Sequence, residues 1–216
     1  MFAAGDRYLQ ERVTAKDQLQ LVGATAMFIA SKFEEIYPCQ SLDLVHMCDN
    51  IYTIRQLLNM EAQMLTALEY RIIKGATPWP WLCRLAQVSA PLTYDEAFSF
   101  IDTERSAALA HYLVELSLID IEFVEYQPSV LAAAASLLAR KTIAPAVIAW
   151  PEELIALSGH SEAALLPCAR ALLELQTKAA SGCTELAKLA PSAAAKKKFA
   201  MDRLLRASAI APLTHI

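Results

Sequence analysis

Four histidines (His46, His111, His160, His215) and five cysteines (Cys39, Cys48, Cys83, Cys168, Cys183) are the residues of this 216-residue chain whose types most readily bind metals, move protons or attack carbonyls. Their spacing speaks against all three. A zinc site needs Cys or His ligands in close pairs, and here no C-x-x-C pair exists. An odd, scattered set of thiols is also no disulfide framework. The cysteines read as buried structural residues, and the histidines as structural or surface groups. No glycine-rich phosphate loop, H-E-x-x-H or G-x-S-x-G pattern appears. The expectation is a protein without catalytic residues, cofactor or metal.

Charge narrows the partners. The formal net charge is -4, with Lys196-Lys197-Lys198 as the only basic cluster. A nucleic-acid binder neutralises phosphates with a basic face, so none is expected, and the three lysines read as a solvated helix turn. The most apolar stretch, Val130 to Ala139, runs straight into Arg140 and Lys141. No stretch reaches the roughly 18–20 apolar residues of a membrane helix, and Met1 to Asp6 is too short and too polar for a signal peptide. A soluble, intracellular protein is expected.

The elements that would position any functional residue are helical. Hydrophobic residues make up 56% of the chain, and Ala is abundant while Gly numbers only five, a balance that favours close-packed helices. Leu19, Val22, Ala26, Ile29, Phe33 and Ile36 recur at helical spacing and predict a helix over 16–36, capped by Thr14 and stopped before Pro38. Gly23, Ala24 and Ala30 on its other side mark it as a buried central helix. A short helix over 41–49 and a longer one capped by Thr53 and running to Glu69 follow. The longer one carries Ile54, Leu57, Leu58, Met64, Leu65 and Leu68 as its apolar stripe. Gly75, Pro78 and Pro80 make 71–80 the linker. Helices are then predicted over 79–88, 102–119, 128–142, 151–158 and 161–179, with Pro128 or Ser129 opening the third and Ser161 capping the last. From Ala190 the chain is expected to be helical at most to Arg206, then loose.

An internal repeat organises these elements. Leu21 to Lys32 and Val130 to Lys141 are both small-residue helices that end apolar-apolar-Ala-polar-Lys. Each is followed by a short helix and a long one. Two helical bundles, each with a buried central helix, are the simplest arrangement.

Leu19 to Pro38, including Ser31-Lys32-Phe33-Glu34-Glu35, resembles the central cyclin-box segment of mitotic A- and B-type cyclins. Asp49-Asn50-Ile51-Tyr52-Thr53 and Met60-Glu61 follow at that family's spacing. Leu116 to Asp120, Tyr126-Gln127-Pro128-Ser129, Trp150-Pro151 and Pro167-Cys168 resemble its second box. The resemblance implies an all-α protein of tandem cyclin-box helical bundles: a partial N-terminal box over 1–73, a C-terminal box over 74–206 and a loose tail over 207–216. It implies a non-catalytic regulatory subunit that binds and activates a cyclin-dependent protein kinase in G2/M control, in nucleus and cytoplasm. The alternative is a degenerate cyclin-fold scaffold, or an interaction module like transcription factor IIB, that does not activate a kinase.

The same resemblance assigns residues. Lys32 and Glu61 would hydrogen-bond kinase backbone groups, with Phe33, Ile29, Leu65 and Tyr70 as the apolar contact surface and Glu34 and Glu35 as rim charges. Gln20 matches a position in the family's substrate-docking groove. Asp6-Arg7-Tyr8-Leu9 resembles the end of the second helix of the first box. A first box incomplete at its N-terminus is therefore expected, with Gly23, Ala24 and Met27 partly exposed and the docking groove lost.

Overall fold

A computed structural model of the chain describes residues 2–72, 77–89, 100–146, 148–181 and 190–216. Ten α-helices and no strand occur among them. The chain divides into two compact units, Met1–Gly75 and Ala76–Ile216. Residues 73–76 of the expected linker, and Cys183, lie outside the described residues.

The first unit contains α1 (Phe2–Glu11), α2 (Leu19–Glu34), α3 (Ser41–Met47) and α4 (Ile54–Ala67). α2 buries Leu21, Val22, Thr25, Ala26, Phe28 and Ile29. These pack with Tyr8 of α1, Leu44 of α3, and Leu57, Met60 and Met64 of α4. Small residues let α1 approach α2 closely: a Cβ placed on Gly5 would lie 3.6 Å from that of Ala26. The hydroxyl of buried Thr25 donates to the Leu21 carbonyl at 2.7 Å, so burial leaves it satisfied.

The ends of α2 differ from expectation. A 3-10 turn over Lys16–Gln18 precedes it, opened by an extended Ala15 that offers no capping side chain. Thr14 instead donates to the Arg12 carbonyl and caps nothing. At the other end Glu35 is already extended, two residues before the predicted stop. The Cys39 amide donates to the Ser31 hydroxyl at 2.7 Å, folding the chain back over the last turn. α4 begins as predicted, with a capping box between Thr53 and Gln56. It ends in a left-handed turn at Glu69 and Tyr70, φ 52° and 57°, closed by a bond from the Tyr70 amide to the Leu65 carbonyl at 2.8 Å. Arg7 donates to the carbonyls of Arg71 and Ile72, tying the segment after α4 back to α1.

The second unit contains α5 (Pro78–Ser89), α6 (Phe100–Ser117), α7 (Pro128–Ile143), α8 (Glu152–Ser158), α9 (Glu162–Ala180) and α10 (Ala190–Phe199). The helix after the linker starts at Pro78, so both prolines expected in the linker sit in its first turn, where their missing amides cost nothing. α7 is the centre: Ala132 to Ala135 and Leu137 to Ala139 are all fully buried. Pro128 occupies its first position, Gly159 ends α8 in a left-handed turn at φ 73°, and Ser161 caps α9 by accepting from the Ala164 amide. His160 is structural, its ring against the Ser129 hydroxyl and its carbonyl accepting from the Trp150 indole. His46 and His215 are exposed.

The expected loose tail is packed. Phe199 and Ala207 are fully buried, Ile210, Leu213 and Ile216 lie against the core, and Gln176 donates to the Ile210 carbonyl. The apolar residues spaced along this segment cover the outside of the bundle, which polar tail residues would not do. Lys198, read as part of a solvated turn, pairs with Glu115 at 2.6 Å. His111 lies between Trp79 and Phe199, tilted at 43° to the first and edge-on to the second, with ring centroids 4.3 and 4.9 Å away. Burial pushes its pKa down, Glu115 opposes this and Lys198 adds to it.

Candidate functional site

Lys32 and Glu61 come together. Lys32 lies in the last turn of α2, where the helix dipole favours a cation, and its ammonium donates to both Glu61 carboxylate oxygens, at 2.7 and 2.9 Å. The ammonium also lies 3.9 Å from the centre of the Phe28 ring, a cation–π contact. The Glu61 side chain is 13% exposed and that of Lys32 is 42% exposed. The Lys32 end of the pair is open to water, where ion pairs stabilise a fold by about 0–1 kcal/mol, while the Glu61 carboxylate is largely buried beneath it. Ile29, Met60 and Met64 also hold α2 to α4.

The surface around the pair is apolar and exposed. Phe33 is 52% exposed and Tyr70 70%, while Ile36 and Tyr37, just past α2, reach 89% and 91%. The left-handed turn after α4 sets where Tyr70 stands. Two stripes run along α4 where one was predicted. Leu57, Met60, Met64 and Leu68 are buried. A quarter turn away on the helix, Ile54, Leu58, Glu61 and Leu65 follow one another at spacings of four, three and four residues. Ile54 and Leu58 are exposed and Leu65 is half-buried. Ile54 and Leu58 belong to the outward surface and not to the core stripe, while Leu65 packs against the core at the margin between the two stripes. The signal was present in the sequence, since α4 carries more apolar residues than one face can hide.

Ile29 is the correction among the assigned residues. It is 2% exposed and sits in the core between α2 and α4, so it supports the surface from beneath and offers none itself. Its place in the buried arc of α2, from Phe28 round to Ala26, explains this. Gln20 is exposed, on a separate open face of α2 that also carries Leu19, Gly23 and Met27, with Ala24 half-buried at its margin. The expected exposure of Gly23, Ala24 and Met27 is thus observed. Glu34 and Glu35 are exposed beside Phe33. Among the described residues no group of His, Cys, Asp or Glu could hold a metal ion, and no helix is long and apolar enough to cross a membrane.

Two helical units, each built round a small-residue central helix, define the class of fold. Comparison with known families gives the class its name. Residues 3–73 match the family described as cyclin, N-terminal domain, and residues 76–213 match cyclin, C-terminal domain. The chain belongs to the cyclin family. It is 34% identical over 209 residues to the G2/mitotic-specific cyclin-B of Arbacia punctulata, covering 96% of this chain and 47% of the relative. To G2/mitotic-specific cyclin-B1 of Xenopus laevis it is 32% identical over 208 residues, 96% of this chain and 47% of the relative. To cyclin-A1 of Homo sapiens it is 36% identical over 168 residues, 76% of this chain and 32% of the relative. The chain spans about half the length of the curated cyclin-B relatives it matches.

Proposed function

We propose that this chain is a non-catalytic regulatory subunit that binds and activates a cyclin-dependent kinase of the mitotic type, in G2/M control in nucleus and cytoplasm, through the α2–α4 surface centred on Lys32 and Glu61. The observation that carries the reading is the ion pair itself. Two charges are held at a fixed place among exposed Phe33, Leu58, Ile54 and Tyr70. Polar groups set among apolar ones are what a specific protein contact uses: the apolar residues supply buried area, and the charges fix register. A hydrogen bond from such a charge to a partner's backbone contributes about 1.5–3 kcal/mol when water is excluded. The cyclin does no chemistry in this reading. Its binding free energy selects the kinase conformation in which the regulatory helix is turned inward and the active-site Lys–Glu pair is formed. The names of the relatives, G2/mitotic-specific cyclin-B among them, support the choice of kinase class.

The test is to purify the Lys32→Ala/Glu61→Ala double variant, pull down a mitotic-type cyclin-dependent kinase with it, and assay phosphorylation of a histone substrate. Loss of both capture and stimulation is expected. Capture without stimulation in the unmodified chain would instead favour the scaffold reading. Unchanged capture and stimulation in the double variant would place the interface elsewhere.

A further inference from the structure

In the second unit the chain leaves α6 at Ser117 and enters a 3-10 helix, Ile121–Glu125. Asp120 caps this helix by accepting from the Glu122 amide at 3.1 Å. With three residues per turn, side chains three apart lie one above the other, so this short element has three rows. Phe123 and Tyr126 form the inward row: Phe123 is buried, Tyr126 is half-buried, and their ring centroids are 6.0 Å apart. Ile121 and Val124 form the second row, 80% and 73% exposed, and Leu118, 54% exposed, stands in the turn before the helix, across the extended Asp120. Glu122 and Glu125 form the third row, both exposed. They make no ion pair among the described residues, whereas Glu115 is paired with Lys198 and Asp120 caps the helix.

Two features set this ridge apart from scattered surface hydrophobics, which need no explanation singly. Three large apolar side chains are exposed within seven residues, and the charged residues of the surrounding stretch are all acidic. From Ser106 to Ala139 the sequence holds Glu115, Asp120, Glu122 and Glu125, and no Lys or Arg at all. The inward row and the Asp120 cap already account for the local fold, so nothing in the packing calls for Ile and Val on the outward row.

We propose that the Leu118–Ile121–Val124 ridge, with Glu122 and Glu125 beside it, is a docking surface for a basic amphipathic helix of a partner protein. A row of apolar side chains on that helix covers the ridge, and its Lys or Arg residues meet the two carboxylates. Charge decides between occupants. A second copy of this chain joined through the same ridge would set carboxylates against carboxylates, and an anionic lipid surface would repel them. A basic helix satisfies both rows at once. The proposal is independent of the kinase-binding reading, which uses the first unit only.

The test uses the full chain and a fluorescein-labelled designed 18-residue Leu/Lys amphipathic peptide, with a Leu/Glu twin as control, read by fluorescence anisotropy. The Leu/Lys peptide should bind and the twin should not. Ile121→Ser/Val124→Ser should weaken binding at least tenfold, with circular dichroism and thermal melting unchanged because both side chains are exposed. Glu122→Lys/Glu125→Lys should reverse the preference toward the Leu/Glu peptide. Lys32→Ala/Glu61→Ala should leave peptide affinity unaltered. Binding that survives both ridge variants, a charge-reversed variant that still prefers the Leu/Lys peptide, or a dimer in sedimentation that the ridge variants dissolve would each overturn the proposal.

Discussion

α2 and α7 hold the same place in the order of elements and share a small-residue pattern, yet they live in different surroundings. α7 is enclosed: Ala132 to Ala135 have no exposed surface, because α5, α6 and α9 approach from all sides. α2 is enclosed over only part of its circumference, and Leu19, Gly23 and Met27 face water. Small side chains permit close approach, but they do not summon a neighbour. The enclosed helix makes its unit a packed core, while α2 keeps one end, with Lys32 and Phe33, at the surface.

The largest difference between the two helices should appear on truncation. Leu137→Ala in α7 empties a site with no exposed surface and should cost about 2–5 kcal/mol, whereas Met27→Ala in α2, already 39% exposed, should cost well under that in denaturant melts. Equal losses would mean that the open face of α2 is covered in solution. Insertion should come next. Ala134→Leu in α7 should cost about 1–3 kcal/mol by overpacking. Gly23→Ala in α2 should instead stabilise by about 0.5–1 kcal/mol, since an added Cβ at Gly23 meets nothing within 4 Å.

The smallest effect is one of pH and belongs to the unit built round α7. Burial is the main reason the His111 pKa lies below 6.5, with Lys198 pushing the same way against Glu115. The unfolded chain therefore binds that proton more readily than the folded one. Stability linked to His111 is fully present above about 6.5 and falls as pH drops through its lowered folded pKa. Thermal melts of the chain and of His111→Phe should diverge between neutral and mildly acidic pH, the variant losing less. Parallel curves would show that His111 is not the group responsible.

Much of this was legible in the sequence, and the gaps have physical causes. Caps are local chemistry, so Thr53, Ser161 and Gly159 marked helix ends correctly. Thr14 failed because the chain inserted a 3-10 turn that no side chain signals. Periodicity identified α4 but merged its two stripes, since spacing alone does not say which apolar face meets a neighbour. Ile29 was misjudged for the same reason: a residue beside Lys32 along the chain lies on the inner arc once α4 is in place. The packed residues after Phe199 were missed because single apolar residues in a short, irregular segment have no period to detect.

The Lys32–Glu61 pair is proposed to act outward, on a partner, and not inward, on the fold. Calorimetric titration of a mitotic-type cyclin-dependent kinase with the chain and with Lys32→Ala/Glu61→Ala, alongside denaturant melts of each, tests this directly. Affinity should fall by about 100-fold or more, the loss of two charged hydrogen bonds, while stability changes by no more than about 1 kcal/mol. An unchanged Kd, or a loss of affinity matched by a comparable loss of stability, would contradict it.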